Sequence, residues 1–564
     1  MRRIFKSNLF FLIILASLVF IVYGKSINYE FTGLDDDALT SEKSLYISDV
    51  KNFPDFFLTD CYHNKKITQY YRPILSLSFA IETILFGVNT KIYHLTNIII
   101  FILALYLMYL FLCNFCSSNK ILKYIILLCA VHPVFVSSVV WIPARNDTLL
   151  SIFIFLFLIN YINYIKDGKN ISFIMSCVFF IFALFTKETT IVCLPVLIFL
   201  MCCFEIKITK KQILNYLIIF IPILIIYFYL RHIAVASINF NHYINFAYEY
   251  FFNILFGIML YVKYLFFIQD VPIMLYEIQF DILSLIINIV LFSIVISLCF
   301  FNFINKKIII FSCLWFVLFL LPSFAQEYYA WLPHRLIISI LPFILILCEI
   351  LKKLILIFPF FKKYSFYVFS FLLILFSFCS FLQANQYKNS ESFWKNSYKY
   401  APNYFLVCNG LIDIYLEQKE YQKAYFLLKT INVNKSIEVS YRIKEVTLDF
   451  ILYKNINETE KRYLELLKET TSYYDIANIF ARLSDIYYLK KDLNKAIEYA
   501  EKSLELQPYD KHTLVYLANY YALNKQFSKA RPIYERLLKD DNNNEYYHYL
   551  IKTLDEDERE NKTN

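Results

Sequence analysis

Residues 477–510 read ANIFARLSDIYYLKKDLNKAIEYAEKSLELQPYD, and residues 511–544 repeat the pattern at a period of 34 residues. The recurring positions are Leu483, Tyr487, Ala496 and Pro508 in the first copy, and Leu517, Tyr521, Ala530 and Tyr534 in the second. This period suits a unit of two antiparallel helices, where a small alanine lets the helices approach closely. The stretch therefore predicts a stack of helix pairs, which is an α-solenoid.

A weaker copy of the pattern lies upstream, with Leu411, Tyr415 and Ala424, and residues 437–475 are predicted to hold one further degenerate helix pair. The spacing resembles that of tetratricopeptide repeats, which mostly bind peptides or partner proteins. A structural spacer is the alternative. We assign residues 403–554 to this repeat domain, 385–402 to a linker, and 555–564 to a charged, solvated tail.

The chain before the repeats has a different composition. Over all 564 residues, 59% are hydrophobic and the mean hydropathy is +0.50, above the usual apolar share of about 45–50%. From Asn385 onward there are 27 basic and 27 acidic residues, so the net charge of +9 falls in the first 384 residues. There the basic residues lie between apolar runs, which argues against nucleic acid as a partner. Residues 1–384 are predicted to form a polytopic membrane helix bundle, so the fold class is all-α.

About 20 apolar residues are needed to cross a bilayer as a helix. Loops that should face the cytoplasm hold 16 basic and 3 acidic residues, whereas the outer segments hold 12 and 16. By the positive-inside rule, the N-terminus is cytoplasmic, the first span is an uncleaved signal anchor, and the repeat domain is extracytoplasmic. The eleven or so predicted transmembrane helices are 8–24, 93–115, 121–142, 148–165, 171–186, 189–204, 212–230, 282–304, 308–324, 336–351 and 364–384.

Residues 250–268 do not fit this scheme. They are apolar enough to span, but a span here would place Lys306 and Lys307 outside. An interfacial or re-entrant helix is the preferred interpretation, supported by Lys263 in its middle and by its dense aromatic residues. A true span is left open.

The acidic run Asp35-Asp36-Asp37 follows the first predicted span, on the outer side. Adjacent carboxylates can hold a divalent cation, or one can act as a general base while the other orients a substrate. The alternative is a solvated turn or a helix cap. A divalent cation is therefore a possible cofactor, with Asp35 and Asp36 as its candidate ligands.

Further polar residues gather on the same predicted side, where polar groups near membrane depth indicate function. Arg145 with Asp147 suits either an ion pair or an anion site, and Lys187 with Glu188 suits either a snorkelling pair or a site. Together their cations suit a phosphate group. The candidate substrate-binding residues are Arg72, His94, Asn97, His132, Arg145, Asp147, Lys187, Glu188 and Arg335.

The order of several motifs resembles that of the tetratricopeptide-repeat transmembrane O-mannosyltransferases and their bacterial relatives, in the C-type glycosyltransferase superfamily. The resemblance is clearest over residues 30–200 and in the repeats, and weak over 205–385. It implies an extracytoplasmic site, a polyprenyl-phosphate-linked sugar as donor, and an acidic catalytic base in the first outer loop, which matches Asp35 or Asp36. The motifs are the early Asp-Asp pair, YYRPILSLSFAIETILFG, YHLTN, LLCAVHPVFVSSVVWIPARNDTL and FTKETTIVCLP.

We therefore expect a membrane glycosyltransferase that moves a sugar from a polyprenyl-phosphate donor to a protein or glycan hydroxyl, with the repeats binding the acceptor and membrane lipid surrounding the bundle. A non-enzymatic membrane-anchored scaffold for envelope proteins is the alternative. A lipid-linked sugar flippase is a third hypothesis, but it would require charges deep inside several spans.

Overall fold

The computed structural model describes residues 2–563 apart from 65–67, 117, 236–254, 267, 269–270, 275–281, 302, 325–331, 432–437 and 541–544. Within these ranges the regular structure is helical and contains no strand. The chain forms two compact units. The first comprises residues 1–32, 54–78 and 90–400, and the second comprises residues 33–53, 79–89 and 401–564.

The helices up to residue 400 are α1 (Arg2–Tyr23), α2 (Asp35–Leu39), α3 (Ser44–Ile47), α4 (Pro73–Phe86), α5 (Thr90–Leu112), α6 (Asn119–Ala130), α7 (Val136–Val140), α8 (Arg145–Asp167), α9 (Asn170–Thr186), α10 (Cys193–Phe204), α11 (Lys210–Ala234), α12 (Leu255–Phe266), α13 (Ile282–Phe300), α14 (Lys306–Leu320), α15 (Leu336–Ser339), α16 (Leu341–Ile357), α17 (Pro359–Ala384) and α18 (Ser390–Tyr400).

The later helices are α19 (Phe405–Glu417), α20 (Tyr421–Thr430), α21 (Glu438–Tyr453), α22 (Ile456–Glu469), α23 (Tyr473–Leu489), α24 (Leu493–Leu506), α25 (Lys511–Leu523), α26 (Phe527–Asp540) and α27 (Glu545–Thr563).

Among the described residues, six helices are long and apolar enough to cross a membrane. A seventh is added if the pair Asn119–Ala130 and Pro133–Val140, bent by 58°, counts as one span. Several apolar helices are thus confirmed, but fewer than the eleven predicted. The six segments are Asn8–Asn28, Thr90–Leu112, Ile142–Asp167, Lys210–Ala234, Lys306–Ser323 and Lys363–Tyr387.

The shortfall has a physical reason in helix length. The predicted spans 171–186 and 189–204 form the short helices Asn170–Thr186 and Glu188–Phe204, whereas a bilayer crossing needs about 20 residues. The predicted span 336–351 is divided between α15 and α16. In 250–268 the described helix is α12, of 12 residues, and residues 250–254 and 267 lie outside the described part.

Within the first unit, α8 packs against α5 and α9, while α1 packs against α5, α6 and α17. The long helix α8 ends at Gly168, whose φ of +66° is left-handed and favours glycine. At its other end, a short 3₁₀ turn over Ile142–Ala144 separates α8 from the bent segment before it. Buried polar residues flank this break at the start of α8, among them Arg145, Asn146 and Asp147.

Two predicted boundaries differ in the structure. The predicted linker 385–402 contains α18, which belongs to the first unit because Phe393 and Trp394 are buried there. The predicted tail 555–564 continues α27 as far as Thr563, and Asp555 accepts a hydrogen bond from Arg531. Both segments are thus helical although their composition is polar, because buried aromatic residues and an amphipathic helix hold them against the rest of their units.

The second unit confirms the repeat prediction. Helices α19 to α26 pack in consecutive pairs, and α21 with α22 forms the predicted degenerate pair. Ala424, Ala496 and Ala530 are each 0% exposed, as close helix approach requires. Two hydroxyls join neighbouring helices, since Ser484 donates to the carbonyl of Ala496 at 2.8 Å and Ser503 donates to that of Ala477 at 2.9 Å.

The second unit also includes an early part of the chain. We call residues 33–53, which carry α2 and α3, the acidic segment. Helix α3 packs against α26, and Leu45 packs on the apolar core formed by the last repeats and α27. Part of the first outer loop of the predicted topology, residues 33–53 and 79–89, therefore belongs to the repeat unit.

Candidate functional site

An ion pair buried in the first unit lies at the centre of the candidate site. The ammonium group of Lys187 donates to both carboxylate oxygens of Asp147, at 2.7 and 3.0 Å, and both side chains are only 8% exposed. Asp147 lies in the first turn of α8, and Lys187 follows the last residue of α9 in an extended conformation. Two helix ends thus bring together two of the predicted site residues, 40 positions apart.

A third helix end adds a histidine. His334 lies in a 3₁₀ turn just before α15, with Nε2 3.5 Å from Oδ2 of Asp147. Burial lowers the pKa of His334 to about 3, and the positive charges of Arg335 and Lys187 act in the same direction against the attraction of Asp147. His334 is therefore neutral at neutral pH.

The rim of the site carries further charges that the sequence predicted. Arg72 and Glu188 are partly exposed and attract each other, and Arg72 also interacts with Asp147. Arg335 donates to the carbonyl of Ser323 at 3.1 Å. Burial lowers the pKa of Lys187, and the positive charges of Arg72 and Arg335 act in the same direction. We call Arg72, Asp147, Lys187, Glu188, His334 and Arg335 the polar cluster. It holds three cations and two carboxylates.

Several polar atoms in and around the polar cluster are buried without a protein hydrogen-bond partner. They include Nε of Arg72, Oε2 of Glu188 and Nδ1 of His334. The indole N–H of Trp141 and the hydroxyl of Tyr227 share this property; Trp141 packs on His334 at 5.3 Å between ring centroids, and Tyr227 lies close to Arg72 and Glu188. Because buried polar groups are usually hydrogen-bonded, so many together indicate a place for a polar ligand.

Arg145 and Asn97 form a separate buried arrangement. Nε of Arg145 donates to the side-chain oxygen of Asn97 at 2.7 Å, and its Nη2 donates to the carbonyl of Tyr93 at 3.0 Å. The amide of Asn97 donates to the carbonyls of Trp141 and Ile142, both at 3.2 Å. Of the two interpretations given for Arg145 and Asp147, the structure pairs Asp147 with Lys187, while Arg145 fixes the turn before α8.

His132 caps the backbone. Its Nδ1 accepts from the N–H of Val134 at 3.2 Å, and its Nε2 lies 3.2 Å from the carbonyl of Leu265. Its role here is to hold the bend between α6 and α7. His94 lies one turn before Asn97 and is 1% exposed, with its ring edge-on to Tyr29 at 6.2 Å. Both histidines are therefore packed residues outside the polar cluster.

Asp35, Asp36 and Asp37 lie in the second unit, in the first turn of α2. Asp36 is 1% exposed, and its Oδ1 accepts from the N–H groups of Leu34 and Asp37, both at 3.2 Å. Oδ1 of Asp37 accepts from the hydroxyl of Ser41 at 2.8 Å, and burial raises the pKa of Asp37. Asp36 thus accepts two backbone N–H groups at the start of α2.

A metal site at this acidic run would need ligands from elsewhere. Across the described ranges of the chain, no three His, Cys, Asp or Glu side chains are grouped so that they could hold a metal ion. Asp35 and Asp36 remain the candidate protein ligands, and water molecules, backbone carbonyls or a substrate phosphate would complete the coordination.

Sequence reasoning missed parts of the polar cluster. His334 stands out in the sequence only as a neighbour of Arg335, and Tyr227 falls in the stretch where the motif resemblance is weak. With 20% aromatic residues in the chain, one more tyrosine in an apolar run carries no signal. Tyr227 lies beside the polar cluster, and its nearness to Arg72 and Glu188 together with its unpartnered buried hydroxyl marks it as a neighbour of the site.

Comparison with known proteins bears on the second unit. Residues 487–554 match the tetratricopeptide repeat family. A stretch of 155 residues is 29% identical to the anaphase-promoting complex subunit CDC16 of Saccharomyces cerevisiae, covering 26% of this chain and 18% of that protein. The chain therefore carries tetratricopeptide repeats, which are typical of protein-binding regions.

Proposed function

We propose that the protein is a membrane glycosyltransferase that moves a sugar from a polyprenyl-phosphate donor to a hydroxyl of a protein or glycan. The transfer would take place on the extracytoplasmic side, with the repeats binding the acceptor. The observation that carries the proposal is the polar cluster, where cations and unpartnered donors gather in an otherwise apolar unit.

The charges of the polar cluster suit a lipid phosphate. Asp147 holds Lys187 in place through two hydrogen bonds, while Arg72 and Arg335 lie at the partly exposed rim. Three cations against two carboxylates leave one positive charge in excess, and a phosphate group would neutralise it. The same cations would stabilise the negative charge that develops on the phosphate as the sugar leaves, usually the largest catalytic contribution.

The proposed reaction is an inverting transfer. Asp35 or Asp36 would take the proton of the acceptor hydroxyl as its oxygen attacks the anomeric carbon. The bond from that carbon to the phosphate oxygen then breaks, and the polyprenyl phosphate leaves with the electron pair. The role of these two residues rests on the resemblance to the C-type superfamily.

The test is sugar transfer in membranes that contain the full chain, with a panel of polyprenyl-phosphate monosaccharides that starts with mannose. The double variant Asp35→Asn with Asp36→Asn should abolish transfer, and so should Lys187→Met. Asp49→Asn is the matched control because Asp49 is an exposed carboxylate in the same acidic segment. Full transfer by the double variant would reject the base assignment.

A second function, supported by the repeats, is a non-enzymatic membrane-anchored scaffold for envelope proteins. It predicts that the double aspartate variant is silent, whereas truncation at about residue 400 abolishes function. Truncation should abolish function under both proposals, so the double aspartate variant is the one that separates them in an assay of the protein's role in cells.

A further inference from the structure

The acidic segment and the end of the repeat stack meet through specific side chains. The ring of Tyr46, in α3, lies edge-on to the ring of Tyr509 with centroids 5.0 Å apart. Tyr46 is 8% exposed, and Leu45 beside it packs on the core formed by the last repeats. Tyr509 lies in the turn between α24 and α25, just after Pro508, and Arg536 lies over its ring at 5.0 Å.

Charged groups lie at the same place. Glu42 lies close to Asp37 in the acidic segment and to Asp510 and His512 at the start of α25. Apolar, aromatic and charged groups of the last repeats thus all face one short segment of the distant N-terminal part.

The carboxylates are rigidly connected to this contact. The N–H of Glu42 donates to the carbonyl of Asp37 at 3.0 Å, and the N–H groups of Tyr46 and Ile47 donate to the carbonyl of Lys43, both at 2.9 Å. Backbone hydrogen bonds therefore span the short turn between α2, which carries Asp35 to Asp37, and α3, which carries Tyr46. Because only four residues separate the two helices, we expect a shift of α3 to move the acidic run.

We propose that Tyr509 is a positioning residue, through which the last repeats hold the acidic segment and so set the place of Asp35 and Asp36. The consequence for sugar transfer rests on the proposed function, but the positioning itself does not. With this positioning, the repeat region would support the candidate base in addition to binding a protein partner.

Hydrogen exchange of the full chain in detergent tests the positioning directly. Tyr509→Ala should speed exchange of the backbone amides in residues 37–48 by roughly three- to tenfold, the range expected for loss of one aromatic pair. Tyr46→Ala should have the same effect, and the double variant should add little, because both changes remove one contact. Tyr509→Phe keeps the ring and should restore slow exchange.

Tyr516→Ala is the matched control, since Tyr516 is 46% exposed on α25 and stacks on Tyr520 within the repeats. It should leave exchange in residues 37–48 unchanged. Unchanged exchange there in both Tyr509→Ala and Tyr46→Ala, with α23 and α24 still protected, would overturn the proposal. Absence of sugar transfer by the unmodified chain would instead overturn the proposed function, and full transfer by the double aspartate variant would reject the base assignment. Both outcomes leave the exchange result standing.

In the transfer assay, Tyr509→Ala should lower kcat several-fold with the KM for the lipid donor unchanged, and Tyr509→Phe should recover it. A purely structural role would lower the amount of folded protein without this difference between kcat and KM. A rise in the donor KM with kcat unchanged would contradict positioning of the base.

Discussion

The two units use the same kind of ion pair in opposite ways. In the first unit, Asp147 and Lys187 are each 8% exposed and surrounded by apolar helices. In the second, Arg531 pairs with Asp555 across two helices, with side chains 34% and 42% exposed. Desolvating two charges costs several kcal/mol, so a buried pair is seldom a source of net stability, whereas an exposed pair costs little and contributes little.

The contrast shows that charge has a different energetic cost in each unit. The repeat stack would fold with different surface charges, because its alanines and buried aromatic residues pack the helices. The first unit keeps expensive charges at three helix ends even though apolar residues would pack there at lower cost. That cost is the reason for which we propose a functional role for the polar cluster. The following predictions test this difference.

The largest effect is expected when the buried pair loses one partner. Asp147→Asn leaves the ammonium group of Lys187 buried without its carboxylate, which should cost about 3–5 kcal/mol of unfolding free energy. Asp167→Asn at the other end of α8 is the matched control, since the side chain of Asp167 is 52% exposed. Unfolding of the full chain in mixed detergent micelles measures both. The double variant Asp147→Asn with Lys187→Met should recover stability. Equal losses of unfolding free energy in Asp147→Asn and Asp167→Asn would contradict the difference between buried and exposed charges.

The next effect concerns the arrangement that fixes the turn before α8. Asn97→Ala removes the acceptor of Arg145 and the donor to two buried carbonyls, which should cost about 2–4 kcal/mol because several buried groups lose their partners. Asn114→Ala, just beyond the end of α5 at an exposed position, is the control. The same unfolding assay measures both variants. A smaller loss of unfolding free energy in Asn97→Ala than in Asn114→Ala would show that Arg145 finds other partners.

Much of the fold follows from sequence because its signals are local. The period of 34 residues and the spacing from Tyr487 to Ala496 predict the repeats, and they are present. Apolar runs predict helices as well, but run length alone overestimates the spans. Residues 171–204 are nearly continuous apolar sequence, yet α9 ends at Thr186, and Lys187 after it is extended and donates to Asp147.

The candidate site is only partly predictable, for a different reason. Charged residues between apolar runs stand out, so Arg72, Lys187 and Arg335 are found from sequence. Which charge pairs with which depends on how helix ends meet, and that is set by long-range packing. Sequence therefore grouped Arg145 with Asp147 by adjacency, and it placed Asp35 with the membrane bundle, although residues 33–53 belong to the repeat unit.

The third effect depends on pH. His334 has a pKa of about 3 in the folded chain and an ordinary value of 6.5 when unfolded. Below pH 6.5 the unfolded state binds a proton that the folded state does not, so stability should fall as pH falls towards 3, by about 1.4 kcal/mol per pH unit. Comparing unfolding at pH 7 and pH 5 should show a loss of about 2 kcal/mol that is absent in His334→Gln. His512→Gln, at an exposed position, should retain the full loss.

The smallest effect should come from the exposed pair of the repeat unit. Arg531→Ala removes the hydrogen bonds to Asp555 at 2.5 Å and to Glu558 at 3.0 Å, which join α26 to α27. Exposed pairs typically contribute less than about 1 kcal/mol, and salt screens them further. Hydrogen exchange of α27 in the full chain should therefore speed up less than about fivefold at low salt, and the difference should vanish at about 1 M salt. A loss as large as that of Asp147→Asn, or one that salt does not reduce, would mean that exposed pairs hold the last helix in place. The two ion pairs would then differ only in burial, and not in how much they contribute to stability.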